Sequence, residues 1–263
     1  MSQVDPRGRF VWHELLTLDS SSAIDFYTRV VGWGTTVWEG AGQPYTMWTR
    51  GDSPLGGTMK LPETAQADGA PPHWLPYLGT PDVDGTVARA GELGANIMCP
   101  PTDIASVGRF AVLTDPQEAL FAVFESESGT PGGDEPAAIG EFSWHELLTT
   151  DWAAAFEFYR DLFGWEKTEA MDMGELGTYQ MYGLDGSTLG GMFNKPVEMP
   201  APSHWLCYVR VDDVHRRAAI VEELGGQVLN GPMEVPGGDM IAQCVDPQGA
   251  GFAIHSSAAA ADS

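Results

Sequence analysis

The stretch FVWHELLTLDSSSAIDFYTRVVGWGTT at residues 10–36 returns as FSWHELLTTDWAAAFEFYRDLFGWEKT at 142–168. Working outward, PYTMWTRGDSPLGG (44–57) is matched by TYQMYGLDGSTLGG (178–191), and PPHWLPYL (71–78) by PSHWLCYV (202–209). DPQEALFAV (115–123) then meets DPQGAGFAI (246–254), and the offset stays between 131 and 134 throughout. Paired blocks in one unbroken order make the chain two copies of one domain, since self-similarity at a fixed period marks a repeated structural unit. Residues 126–140 fall in ESESGTPGGDEPAAIG, which is rich in Gly, Pro, Ser and acid with no apolar period, and read as a linker. The expected domains are 8–125 and 141–256, with a disordered tail at 257–263.

Each copy divides again. Residues 10–17 alternate, placing Phe10, Trp12, Glu14 and Leu16 on one strand face. Asp19 is placed to cap a helix whose apolar stripe is Ala23, Phe26, Tyr27, Val30 and Val31, and Gly32 supplies a left-handed stop. Strands are expected near 36–39, 45–49 and 55–60. The pattern restarts with a strand at 73–80, a helix over about 82–93, and strands near 95–99, 109–114 and 120–124. The reading is α+β: four βαβββ modules, at about 8–65, 71–125, 141–196 and 202–256. A lone βαβββ unit leaves an apolar sheet face bare, so modules must pair to bury it.

The 37 acidic and 13 basic residues leave a net charge of −24. Such a field repels nucleic acid and anionic membrane surfaces and draws in cations. Cys99, Cys207 and Cys244 include no CxxC and signal neither a disulfide framework nor a zinc knuckle. MSQVDPRGRF has no apolar signal core and no stretch is long enough to span a membrane, so a cytoplasmic protein is expected. HELLT is not HExxH, and there is no GxGxxG, GxxxxGK[ST] or GxSxG.

Four βαβββ units, an Asp–helix–PheTyr–GlyTrp opening, and a DPQ turn before each closing strand resemble the vicinal oxygen chelate superfamily. These are the glyoxalase, bleomycin-resistance and dioxygenase relatives. The blocks are most similar to its duplicated, actinobacterial-type branch of glyoxalase-like or hydroxylase-like proteins. The resemblance implies modules curved into open cups in which a divalent metal chelates vicinal oxygens of a substrate. It places one metal ligand seven residues before the helix-opening Asp, which here is Trp12 or Trp144. The second falls on Leu75 or Leu206, and the third on Ala122 or Ala253. None of these carries a lone pair for a cation.

A displaced site remains open. Glu14 shares the face of Trp12, and His73 that of Leu75, so Glu14 with His73, and Glu146 with His204, are the alternative metal ligands. The expectation is therefore no cofactor, with Fe, Zn, Ni or Mn at a displaced site as the alternative. Glu14 and Glu146 are also the candidate catalytic acids, since a carboxylate on an apolar strand face must be paired or face water. The expected ligand wall is Trp12, Trp48, Met59, His73 and Trp74, with Trp144, Tyr182, His204 and Trp205 in the second copy. Trp33 and Trp165 are read as core. The leading reading is a small-molecule binder without the usual metal, taking an aromatic or cationic ligand. The alternative is an enzyme of glyoxalase, lyase, isomerase or hydroxylase type that uses a displaced metal or a Glu general base. Neither nucleic acid nor membrane is an expected partner, and the duplicated chain is expected to be a monomer that forms an internal pseudo-dimer.

Overall fold

The computed structural model describes residues 5–40, 44–129 and 136–257. Parts of the expected linker (130–135) and tail (258–263) lie outside the described residues. The first module comprises β1 (Phe10–Thr17), α1 (Ser20–Val30), β2 (Gly34–Trp38), β3 (Tyr45–Arg50) and β4 (Ser53–Lys60), followed by a short α2 (Glu63–Ala67). The second comprises β5 (His73–Gly79), α3 (Val83–Glu92), β6 (Asn96–Ile104), β7 (Gly108–Thr114) and β8 (Leu120–Ser126). The third has β9 (Phe142–Thr149), α4 (Trp152–Phe163), β10 (Glu166–Asp172), β11 (Thr178–Leu184) and β12 (Ser187–Asn194). The fourth has β13 (His204–Arg210), α5 (Val214–Glu223), β14 (Gln227–Glu234), β15 (Met240–Val245) and β16 (Gly251–Ser256). The four expected modules are all present; α2 is an addition that the sequence pattern did not announce.

Each repeat supplies one eight-stranded sheet, ordered β2-β3-β4-β1-β5-β8-β7-β6 and β10-β11-β12-β9-β13-β16-β15-β14. The long helices start where the repeated aspartates predict. Asp19 accepts from the Ser21 and Ser22 amides, Asp151 from those of Ala153 and Ala154, Asp82 from Gly85 and Asp213 from Arg216. These carboxylates satisfy amides that have no partner inside the helix. Gly32 and Gly164, with φ of +92° and +80°, turn the chain after α1 and α4. Among the described residues no helix is long and apolar enough to cross a membrane, and all three cysteines are free.

Packing does not follow the sequence halves. The chain forms two compact units. Unit 1 holds the described parts of Met1–His13, Leu75–Glu135 and Trp144–Leu206. Unit 2 holds those of Glu14–Trp74, Pro136–Ser143 and Cys207–Ser263. In unit 1, Val83, Val87 and Ala90 of α3 share a core with Phe156, Tyr159, Phe163 and Trp165. In unit 2, Phe26, Tyr27 and Val30 of α1 share one with Val214, Ala218 and Val221 of α5. The second module thus buries its apolar face against the third, and the first against the fourth.

Polar anchors fix both pairings. Tyr159 Oη donates to Asp115 Oδ2 at 3.2 Å in unit 1, and Tyr27 Oη to Asp246 Oδ2 at 3.2 Å in unit 2. Each acceptor is the Asp of a DPQ turn, and each donor lies on the first helix of the other repeat. The Gln of the same turn completes the lock. Gln117 accepts from the Asp151 amide and donates to its carbonyl, as Gln248 does with Asp19. Trp33 and Trp165 are core as expected, their indoles donating to the Gly140 and Gly8 carbonyls.

Candidate functional site

The site begins on β9, where alternation sends Trp144 and Glu146 to one face and His145 to the other. β12 runs parallel to β9 with Gly191 opposite Glu146, and β11 runs antiparallel to β12 with Met181 opposite Gly191. Gly191 has no side chain, so the Tyr179 ring lies over its backbone. A Cβ there would overlap the ring. From that seat Tyr179 Oη donates to Glu146 Oε2 at 3.0 Å and accepts from Trp144 Nε1 at 2.8 Å. The result is a directed chain, indole N–H to phenol to carboxylate. The Phe193 ring lies 5.7 Å from that of Tyr179.

Unit 2 repeats the motif. Tyr45 lies over Gly57, which is opposite Glu14 in the register, and donates to Glu14 Oε1 at 2.8 Å. Glu14 and Glu146 are only 6% and 5% exposed, so both carboxylates are covered rather than open to water. Tyrosine donors offset the desolvation that an unpaired buried carboxylate would suffer. Neither tyrosine was among the residues singled out from sequence. The signal was present: PYTMW and TYQMY share Tyr two positions before Met, on the strand face that looks across to the second glycine of LeuGlyGly.

The same alternation corrects four expected wall residues. Trp48 and Tyr182 stand one strand position off the Tyr–Glu face and are fully buried. Trp48 donates to the Gly57 carbonyl and Tyr182 to that of His145. Trp74 and Trp205 are 5% and 4% exposed and belong to the two aromatic cores, where Trp74 donates to Tyr27 Oη at 3.0 Å. Strand parity turns all four toward the helices, where large rings bury most area. Of the other wall residues, Trp12 and Trp144 are half-buried and Met59 is exposed.

His73 and His204 each hold Nδ1 against a carbonyl, Pro71 at 2.8 Å and Pro202 at 2.9 Å. Nδ1 therefore carries the proton and Nε2 the lone pair. Burial pushes both imidazoles below their ordinary pKa, keeping them neutral. Nε2 of His73 is buried with no hydrogen-bond partner among the described residues. Neither Glu14 with His73 nor Glu146 with His204 belongs to a cluster of three or more metal-ligating groups among those residues.

On the opposite face from Glu146, His145 Nε2 lies 2.7 Å from His13 Nε2, and Phe10 stacks on the His145 ring at 3.5 Å. Burial holds His145 at a pKa of about 3. At the positions where the superfamily places its metal ligands, Leu75, Leu206, Ala122 and Ala253 are buried hydrocarbon and Trp144 spends its N–H on Tyr179. A cation does not fit that donor set.

The model of the Glyoxalase/Bleomycin resistance protein/Dioxygenase superfamily matches residues 9–123 and 141–254. The anthracycline biosynthesis protein DauV of Streptomyces sp. (strain C5) is 30% identical over 260 residues, covering 94% of this chain and 92% of that one. In fold, the Mn(II)-bound glyoxalase from Novosphingobium aromaticivorans aligns with a TM-score of 0.64 at 16% identity, over 97% of this chain and 83% of that chain. Homoprotocatechuate 2,3-dioxygenase from Brevibacterium fuscum, in complex with 3,4-dihydroxyphenylacetate, aligns at 0.67 and 16%, with the same coverage.

Proposed function

From the premise that the chain belongs to the glyoxalase, bleomycin resistance protein and dioxygenase superfamily, we propose that it binds a flat, hydroxylated or cationic aromatic small molecule. The ligand docks on the Trp144–Tyr179–Glu146 chain of unit 1, and Tyr45–Glu14 of unit 2 is a second such site. The superfamily fold hosts many chemistries, so the reading rests on the site. The observation that carries it is the directed hydrogen bonding from Trp144 through Tyr179 onto Glu146, which fixes a negative charge beside aromatic rings on one strand face. Trp144, Tyr179 and Phe193 offer ring faces, each aromatic contact contributing about 0.5–1.5 kcal/mol. The −24 net charge favours a cationic substituent. DauV is named for anthracycline biosynthesis, and a polycyclic aromatic of that class matches these ring faces. In this reading no metal occupies the superfamily's usual ligand positions.

The test is tryptophan quenching by a planar hydroxyanthraquinone, an aminoglycosylated anthracycline and an aliphatic amine. Glu146→Gln and Tyr179→Phe are expected to weaken the aromatic ligands by about 10–100-fold, the worth of a hydrogen bond to a charged group. Wild-type affinity in both variants would overturn the site. The lone pair of His73 Nε2 favours one second reading, a metal held by His73 with Glu14. Elemental analysis of protein purified without chelator or affinity tag decides it, since metal bound in that way is lost in Glu14→Gln.

A further inference from the structure

In unit 2, Ser143 Oγ lies 3.1 Å from His255 Nδ1, and His255 Nε2 lies 2.9 Å from Asp239 Oδ2. The three come from β9, the β14–β15 turn and β16, with Ser143 112 positions before His255 and Asp239 16 before it. The carboxylate can only accept, so Nε2 carries the imidazole proton; the serine hydroxyl, which also lies 3.4 Å from the Tyr208 carbonyl, has the Nδ1 lone pair as its closer acceptor. That fixes the tautomer in which histidine takes a proton from serine. Both ring nitrogens are engaged, so the group at the end of the relay that can meet a substrate is Ser143.

The duplication provides an internal comparison. The positions equivalent to Ser143, Asp239 and His255 in the first repeat are Val11, Gly108 and Phe124. Three separate differences between the copies thus converge on one hydrogen-bonded chain, while the folding anchors Asp115/Asp246, Gln117/Gln248 and Tyr27/Tyr159 recur in both. The His255 side chain is 17% and that of Asp239 41% exposed, and Ser143 is half-buried, so the relay opens toward solvent.

We propose that Ser143, His255 and Asp239 form a nucleophilic relay that cleaves a small carboxylic ester, an activity separate from the binding site above. Such triads are defined by geometry and roles rather than by order in the chain. Here the two imidazole nitrogens exchange their commonest duties. Ser143 Oγ attacks the ester carbonyl as its proton passes to Nδ1. The C–O bond of the ester then breaks and the alcohol leaves with that proton. Water, deprotonated by Nδ1, cleaves the acyl–Ser143 bond and releases the carboxylic acid, which restores the hydroxyl. Asp239 acts as a positioning residue throughout.

The test is a fluorophosphonate, whose phosphorus forms a bond to the activated serine as fluoride leaves. Intact mass and peptide mapping are expected to show one adduct, on Ser143, with none in Ser143→Ala. His255→Gln is expected to slow labelling by roughly 10²-fold or more, the worth of a general base. Asp239→Asn, at a partly exposed turn, is expected to slow it at least ~10-fold and to shift its pH profile. Circular dichroism melts confirm that each variant is folded. No adduct on the wild type, an adduct that survives Ser143→Ala, or unchanged rates in folded His255→Gln and Asp239→Asn would each overturn the relay.

Discussion

His13 Nε2 and His145 Nε2 lie 2.7 Å apart, so equivalent residues of the two repeats share one hydrogen bond. One nitrogen donates and the other accepts through its lone pair, so the accepting ring is neutral where they meet. Burial lowers the pKa of His145 from 6.5 to about 3. Between those values the unfolded chain binds a proton that the folded chain refuses. This contribution is therefore complete above about pH 6.5 and erodes as pH falls toward 3. Asp115 and Asp246, raised by burial, act with the opposite sign. His13→Leu with His145→Leu is expected to flatten the loss of stability between pH 7 and pH 4, leaving the aspartate contribution. Parallel pH slopes in urea unfolding of the two proteins would refute the assignment.

Tyr27 supports more than its own hydroxyl, since it donates to Asp246 and accepts from Trp74. Tyr27→Phe takes the acceptor from a buried indole N–H and the phenol donor from Asp246 Oδ2, while Asp246 Oδ1 keeps the Gln248 and Ala250 amides. The expected loss is about 1–3 kcal/mol for each group left unpaired, read as a lower denaturant midpoint with an unchanged m-value. A loss below about 0.5 kcal/mol would mean that water replaces the phenol.

Gly191→Ala tests whether glycine serves the site rather than the strand. The added methyl overlaps the Tyr179 ring, so the phenol must leave Glu146. Ligand affinity is expected to fall as far as in Tyr179→Phe, while stability changes by less than in a core truncation of about 2–5 kcal/mol. Full affinity in Gly191→Ala would separate Tyr179 from ligand binding.

Because each core draws helices from both repeats, a single chain completes its own packing. Light scattering at micromolar concentration is expected to give the mass of one chain. Each repeat expressed alone is expected to lack cooperative unfolding, and the two together to regain it. A well-folded, monomeric first repeat would contradict the shared cores.

The modules, the helix starts and the core role of Trp33 and Trp165 were legible because strand alternation, Asp caps and Gly stops act over a few residues. The same alternation put Glu14 and Glu146 on the strand face of Trp12 and Trp144, without the tyrosines that cover them. Trp48 and Tyr182 were misread because an aromatic cluster in sequence does not say which strand face meets the helices. One residue of parity separates Trp48, in the core, from Met47 on the face of Tyr45. Phe10 shows the same limit at a strand end, since its ring stacks on His145 beside His13 although strict alternation groups it with Glu14.

By itself the sequence determined the duplication and the four βαβββ modules, both of which follow from local pattern and spacing, whereas the positions at which metal ligands were sought came from the family resemblance. Only the tertiary structure decided which modules share a core, which tyrosine meets each glutamate, and that Ser143, Asp239 and His255 meet. Those outcomes depend on strand register and on which apolar faces close against each other, and contacts between residues 16 to 112 positions apart leave no period for a local pattern to carry.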